Sequence, residues 1–178
     1  NDTRSATSAD DLNTELGGPA KTAEQVGSVL VAAFTAPKLR WVADNEKENA
    51  AKVAAVALPH DWLSWQMQGG KDFDLLFTDR SDASGTGYFN PVTSTYRHDI
   101  LSSALRTDRA IIAPRIIEPA AFGGKTLSGI PIAAGAGDNA AAALGVQAEP
   151  GDVVVSLGTS GTAFAISDTP THDPSGAV

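Results

Sequence analysis

Apolar positions first recur at helical spacing near the N-terminus. Leu12 and Leu16 share one face, with Ser8 as the expected cap, Asp11 at the capping-box position and Gly17-Gly18-Pro19 as the stop. Residues 22–33 form a weaker helical candidate, interrupted by Gly27. In the next segment Thr35 can cap, Pro37 is tolerated in a first turn, and Leu39 and Val42 share a face, with Trp41 expected in the core. Residues 49–53 continue helical up to the break at Pro59, and Asp61 is expected to cap a helix over residues 62–68, stopped by Gly69-Gly70. Residues 78–86 are small and polar and read as a helix-start loop in which Thr78, Ser81 and Asp82 are all plausible caps. Ile100, Leu101, Ala104 and Leu105 make an apolar helical stripe. Residues 111–119 carry two prolines and read as an extended connector, and residues 122–128 as a polar turn.

The last third changes period. The apolar run 130–134 predicts a strand, Gly135-Ala136-Gly137-Asp138-Asn139 a glycine turn, and residues 140–144, closed by Gly145, a helix. Asp138 then stands at a helix N-terminus beside a close backbone approach that glycine permits. Residues 153–157 and 162–166 are β-branched and apolar runs around Gly158-Thr159-Ser160-Gly161, the pattern of a β-hairpin. Such a turn can aim several N–H groups inward as an anion nest, and Thr159 and Ser160 add hydroxyls. Taken alone, an aspartate ahead of a helix is most simply its cap, and a GTSG loop is most simply a turn. The composition shifts at Glu149-Pro150-Gly151, so the expected domains are 1–149 and 150–178. No internal repeat is present.

Composition narrows the function classes. The 178 residues are 42% hydrophobic and 19% charged, which is globular composition. Net charge is −8 with no Lys/Arg cluster, which argues against nucleic-acid and membrane-surface roles. With no cysteine, disulfides and thiolate metal sites are excluded. His60, His98 and His172 share no metal-ligand spacing, so no metal ligand is assigned. The polar N-terminus is not a signal peptide and no apolar run spans a bilayer, which makes the cytoplasm the default location. The chain lacks an initiator Met and ends soon after a hairpin that cannot bury its own face, so the surface it packs on is expected beyond Val178. A G-x-x-x-x-G-K-[ST] phosphate loop is absent.

The two late loops, in this order and with these flanks, resemble the FGGY family of carbohydrate kinases. So do the FTAPKL-x-W string at residues 34–41 with Asp44-Asn45, and the T-D-x-S-x-A-S-x-T block at residues 78–86. The resemblance runs from Asn1 to about Ser167; Ala33 departs from it where the signature has Gly, Met or an aromatic. It implies an α/β chain with the actin-like, ribonuclease-H-like ATPase fold: the later part of the first, sugar-binding domain and the opening hairpin of the second, ATP-binding one. It implies ATP and Mg²⁺, with Asp138 as general base and sugar contact, Asn139 as a second sugar contact, and Gly158, Thr159, Ser160 and Gly161 against the ATP phosphates. A helix N-terminus favours the carboxylate anion such a base requires. Asp79 and Ser81 are expected to scaffold the sugar cleft, and Lys38 to be structural or paired with an acidic side chain. Asn139, FTAPKL and GTSG are most similar to the xylulokinase branch, which implies phosphorylation of D-xylulose to D-xylulose 5-phosphate. Other sugar or polyol kinases of the family (ribulose, gluconate, glycerol), an actin-like ATPase and a non-catalytic sugar binder are the alternatives. The implied partner is a small sugar, without nucleic acid or membrane; a homodimer is compatible. The family's N-terminal phosphate loop and adenosine-binding portion have no counterpart in these residues, so the chain alone is expected to be inactive.

Overall fold

Helix α1 (Ala6–Glu15) and helix α2 (Pro19–Val26) are separated by Gly17-Gly18 and meet helix α3 (Thr35–Asn45) across a shared apolar face. The computed structural model describes residues 2–159 and 161–173. Asn13 joins the first helices to the following loop: its side-chain amide donates to the Leu30 carbonyl (2.9 Å) and its Oδ1 accepts the Leu30 N–H (3.1 Å). The cap of α1 is Ser5, not Ser8, which lies buried inside the helix. The α3 face turned inward carries Ala36, Pro37, Arg40 and Ala43. Arg40, 1% exposed, donates both guanidinium arms to Glu15 (2.7 and 2.5 Å) and one of them to the Ser103 carbonyl (2.9 Å). Trp41, expected in the core, is only half-buried and carries the Arg4 guanidinium over its ring at 4.3 Å. Lys38 donates to the carbonyls of Ala32 and Asp2, so it is structural, and its charge also favours the Asp2 carboxylate.

The short α4 (Lys47–Ala50) leads to α5 (Pro59–Met67). Asp61 sits in the first turn of α5 rather than ahead of it, and its Oδ2 accepts the Leu58 N–H at 3.0 Å, which satisfies one orphan donor of the helix. Strand β1 (Phe77–Thr78) runs into α6 (Arg80–Ser84). The cap of α6 is Asp79, whose Oδ1 accepts the N–H groups of Ser81 (2.8 Å) and Asp82 (3.0 Å). Strands β2 (Phe89–Asn90) and β3 (Thr95–Tyr96) pair antiparallel, and α7 (His98–Leu105) follows. As the stripe predicts, Ile100, Leu101, Ala104 and Leu105 are buried; they join Leu12, Val26, Leu30, Ala36, Tyr88 and Ile111 in one core.

Residues beyond α7 return along the first half of the chain. Ile112 bridges Ala55 in parallel, and β4 (Arg115–Ile116) then pairs parallel with β1. Strand β5 (Phe122–Lys125) pairs antiparallel with β6 (Pro131–Ala133) through a bulge, so part of the expected polar turn is a strand. Gly123 makes it possible: it is buried against the Phe77 ring, and a Cβ there would fall inside the ring's envelope. Helix α8 (Asp138–Gly145) and the hairpin of β7 (Val153–Leu157) and β8 (Gly161–Ala165) close the described fold, with five pairs from Val153–Ala165 to Leu157–Gly161. Among the described residues no helix is long and apolar enough to cross a membrane.

Candidate functional site

The β5–β6 ladder ends where the Ala134 N–H donates to the Ala121 carbonyl, and the chain then crosses directly over the head of α6. A Cβ on Gly135 would stand 3.2 Å from Asp79 Oδ2, tighter than ordinary contact, so the loop approaches the carboxylate more closely than a side chain comfortably allows. Two residues on, the Gly137 N–H donates to Ser81 Oγ at 2.8 Å. Ser81 Oγ in turn donates to Asp79 Oδ1. Gly137 is extended (φ −58°, ψ 152°) and caps α8, so Asp138 becomes the first residue of the helix, at its positive end. The Asp138 carboxylate is exposed, and its Oδ1 accepts the Asn139 N–H at 2.9 Å.

Asp138 and Asn139 face a groove of about 440 Å³ whose other wall is the hairpin. Ala142 and Val146 extend the α8 side; Val154, Val155, Ser156, Thr162 and Phe164 form the hairpin side. The structure therefore brings Asp138, Asn139 and the two hairpin strands around one space. Gly158 and Thr159 stand exposed at the hairpin tip, outside the lining of that groove, and Gly161 opens β8 opposite Leu157. Ser160 lies outside the described residues.

Behind the glycine loop is a group of acids that sequence spacing does not reveal. Asp79 is 5% exposed and Asp61 1% exposed. His60 Nε2 lies 2.9 Å from Asp61 Oδ1 and 3.4 Å from Asp82 Oδ2, and His60, Asp79 and Asp82 place a nitrogen and two carboxylate oxygens within 4.8 Å of one another. Burial pushes the Asp82 carboxyl up to about 6, helped by its hydrogen bond to Asp79 and by the Asp79 charge. Burial also acts to raise Asp79, but hydrogen bonds from Ser81 and Asp82 outweigh it and hold that carboxyl below the usual range. Burial raises Asp61 as well. An Asp82 carboxyl pushed up beside an Asp79 carboxyl held down is the pattern of two close carboxylates whose titrations depend on one another. Asp79 and Ser81, read from the sequence as cleft scaffold, therefore touch the loop that carries Asp138. The missed members are His60, Asp61 and Asp82. His60 and Asp82 come from different helices, and the only local signal was the polar density of residues 78–86.

Residues 1–145 match the FGGY family of carbohydrate kinases, N-terminal domain. The xylulose kinase of Streptomyces coelicolor is 44% identical over the whole of this chain, and that of Streptomyces rubiginosus 41% identical. The chain spans 37% of the length of each. Among solved structures, a xylulose kinase from Bifidobacterium adolescentis superposes with a TM-score of 0.90 at 40% identity, over 99% of this chain and 44% of that one. The α/β architecture expected from the sequence is thus the actin-like fold of these neighbours. With the family pattern running from the first helix through α8, this chain belongs to the FGGY family of carbohydrate kinases.

Proposed function

We propose that this chain carries the sugar side of an ATP-dependent kinase that converts D-xylulose to D-xylulose 5-phosphate, with Asp138 as the general base. In this reading residues 1–149 belong to the sugar-binding domain, and residues 150–178 open the ATP-binding one. The observation that carries it is the groove in which Asp138 and Asn139, at the head of α8, face the β7–β8 hairpin. Similarity to two xylulose kinases over the full chain supports the choice of sugar.

Phosphoryl transfer asks a protein mainly for alignment and charge stabilisation. Asp138 Oδ1 is occupied by the Asn139 N–H, which leaves Oδ2 to orient the sugar hydroxyl and take its proton as the O–P bond forms and the bond to the ADP leaving group breaks. In this reading the Asn139 side chain holds a neighbouring hydroxyl. The N–H groups of the tip, with the Thr159 hydroxyl, would face the phosphates. Mg²⁺ bound with the nucleotide would neutralise phosphate charge; Asp138, whose free oxygen is kept for the sugar hydroxyl, is not assigned to it. The His60–Asp79–Asp82 group fits that ion poorly, since Asp79 Oδ1 is committed to the α6 cap.

ADP release by the purified gene product with D-xylulose, D-ribulose, glycerol and D-gluconate tests both parts. Preference for D-xylulose is expected, with Asp138→Asn lowering kcat by roughly a hundred- to ten-thousand-fold. A stronger response to another polyol overturns the substrate assignment. An Asp138→Asn enzyme within a few-fold of the parent overturns the base.

A further inference from the structure

We infer that Ser81 is a positioning residue for the transfer reaction, setting the entry of helix α8, and with it the Asp138 carboxylate, through a hydrogen-bond chain that runs from Asp79 to the Gly137 N–H. The inference rests on the reading of Asp138 as the reacting carboxylate.

The Ser81 hydroxyl has one hydrogen and two lone pairs. It gives the hydrogen to Asp79 Oδ1 and takes the Gly137 N–H at 2.8 Å. Both directions are therefore fixed, and the hydroxyl has no freedom to swap roles. Gly137 is the cap residue of α8 and immediately precedes Asp138, so its N–H lies one residue from the group being aimed. The far end of the chain is rigid. Asp79 is 5% exposed, and its Oδ1 also accepts two backbone N–H groups of the first turn of α6. Its Oδ2 lies under Gly135, and Asp82 Oδ1 and Ser81 Oγ lie within ordinary contact of the space beside Gly137. The loop is thus held from below by one hydrogen bond to α6, with Gly135 passing close over Asp79, while its upper side, with Asp138, Asn139 and Ala140, is exposed. Gly137 is the cap of α8, but it has no side chain to accept the orphan N–H groups of the first turn. The entry geometry of α8 therefore depends on a contact from another helix rather than on its own cap.

A serine acting only in folding and one acting in positioning predict different results. In the gene product, Ser81→Ala removes the acceptor of the Gly137 N–H. Errors in orientation of about 1 Å cost on the order of a hundredfold in rate. The expected result is a kcat for D-xylulose phosphorylation lower by about ten- to a hundred-fold, with the KM for ATP within about twofold of the parent. Ser81→Thr keeps the hydroxyl and should return kcat to within about threefold. Hydrogen exchange on the unsubstituted protein adds a measurement independent of any variant: the Gly137 amide should exchange more slowly than the exposed, unbonded amides of the same loop. Asp138→Asn, run in parallel, separates this inference from the one beneath it. An inactive Asp138→Asn beside a Ser81→Ala enzyme with parental kcat overturns the positioning role and leaves the base standing. An active Asp138→Asn enzyme removes the base and the inference together. Equal losses in Ser81→Ala and Ser81→Thr, or a Gly137 amide that exchanges as fast as its unbonded neighbours, would also overturn it.

Discussion

Asp82, with 24% of its side chain exposed, lies beside Asp79 at a place where both carboxylates could not ionise without cost. Its folded value of about 6 lies above the ordinary 3.8, so its favourable contribution is fully present below about pH 4 and is lost as pH rises through about 6. Asp79 is shifted the other way, so its contribution is present above the ordinary value and fades on acidification. The groups facing Asp82 work in both directions: His60 Nε2 at 3.4 Å lowers the cost of its charge, and Asp61 and Asp79 raise it. Asparagine at position 82 offers a neutral amide donor to Asp79 at every pH. Asp82→Asn should therefore raise stability by about 1–2 kcal/mol at pH 8, after discounting for partial exposure, and by only about a third of that at pH 4.5. Urea denaturation at the two pH values measures it; an equal gain at both would show that Asp82 bears no pH-dependent cost. The same scale shows where sequence reading fails. Local pattern points to Trp41 rather than Arg40 as the core residue of α3, because burying a guanidinium requires partners that only the fold supplies: here Glu15, 25 residues away, and the Ser103 carbonyl, 63 residues away. That Asp79 rather than a neighbour caps α6 is not legible locally, since Thr78, Asp79, Ser81 and Asp82 all have capping chemistry and local pattern cannot rank them.

Between elements, the decisive contact is the one that seats the β5–β6 ladder on β1. Gly123 meets the Phe77 ring face, and Arg115 reaches across to donate to the Gly123 carbonyl. Gly123→Ala would drive a methyl group into that ring. Overpacking of this kind costs about 1–3 kcal/mol, and Phe77→Leu in the same chain should recover part of it because it removes the obstructing ring. Thermal denaturation of the two single variants and the double variant measures the coupling; simple additivity would mean that Gly123 is not held against Phe77. The strand itself was not legible, because Gly123-Gly124 has the composition of a turn and its pairing partner lies beyond another turn. The α7 stripe, α8 and the β7–β8 hairpin were legible for the opposite reason. Their apolar spacing and their glycine stops are local, so tertiary context had little to override. Of the site, the order of loop, helix and hairpin could be read directly, and the acid group beneath the loop could not, because α5 and α6 each contribute only part of it.

At the scale of the molecule the two sides of the groove differ in how firmly they are held. The α8 side is tied through Gly137 to Ser81, next to the buried Asp79, and α7 at the centre of the core has Ile100, Leu101 and Ala104 at 0–1% exposure. The hairpin side is bonded chiefly to itself: Val153, Val155 and Leu157 remain 60–88% exposed, and its ladder is closed by its own five pairs. A two-stranded hairpin is at best marginally stable unless other structure covers it. Local opening free energy follows buried apolar contact, so the hairpin should open far more readily than the core. In this 178-residue chain, amide exchange in residues 153–157 and 161–165 is expected to be at least about a hundredfold faster than in α7, with α8 in between. Exchange followed by mass spectrometry on peptides covering the three regions gives the order directly. If the hairpin were protected as strongly as α7, the whole chain would unfold as one unit and the groove would be a rigid cleft. If the graded order holds, the wall bearing Ser156 and Thr162 is the mobile one and Asp138 is the fixed reference. On the function proposed above, the carboxylate proposed as the base would then sit on the firmly held side, and the hairpin, expected to meet the phosphates, on the side free to close.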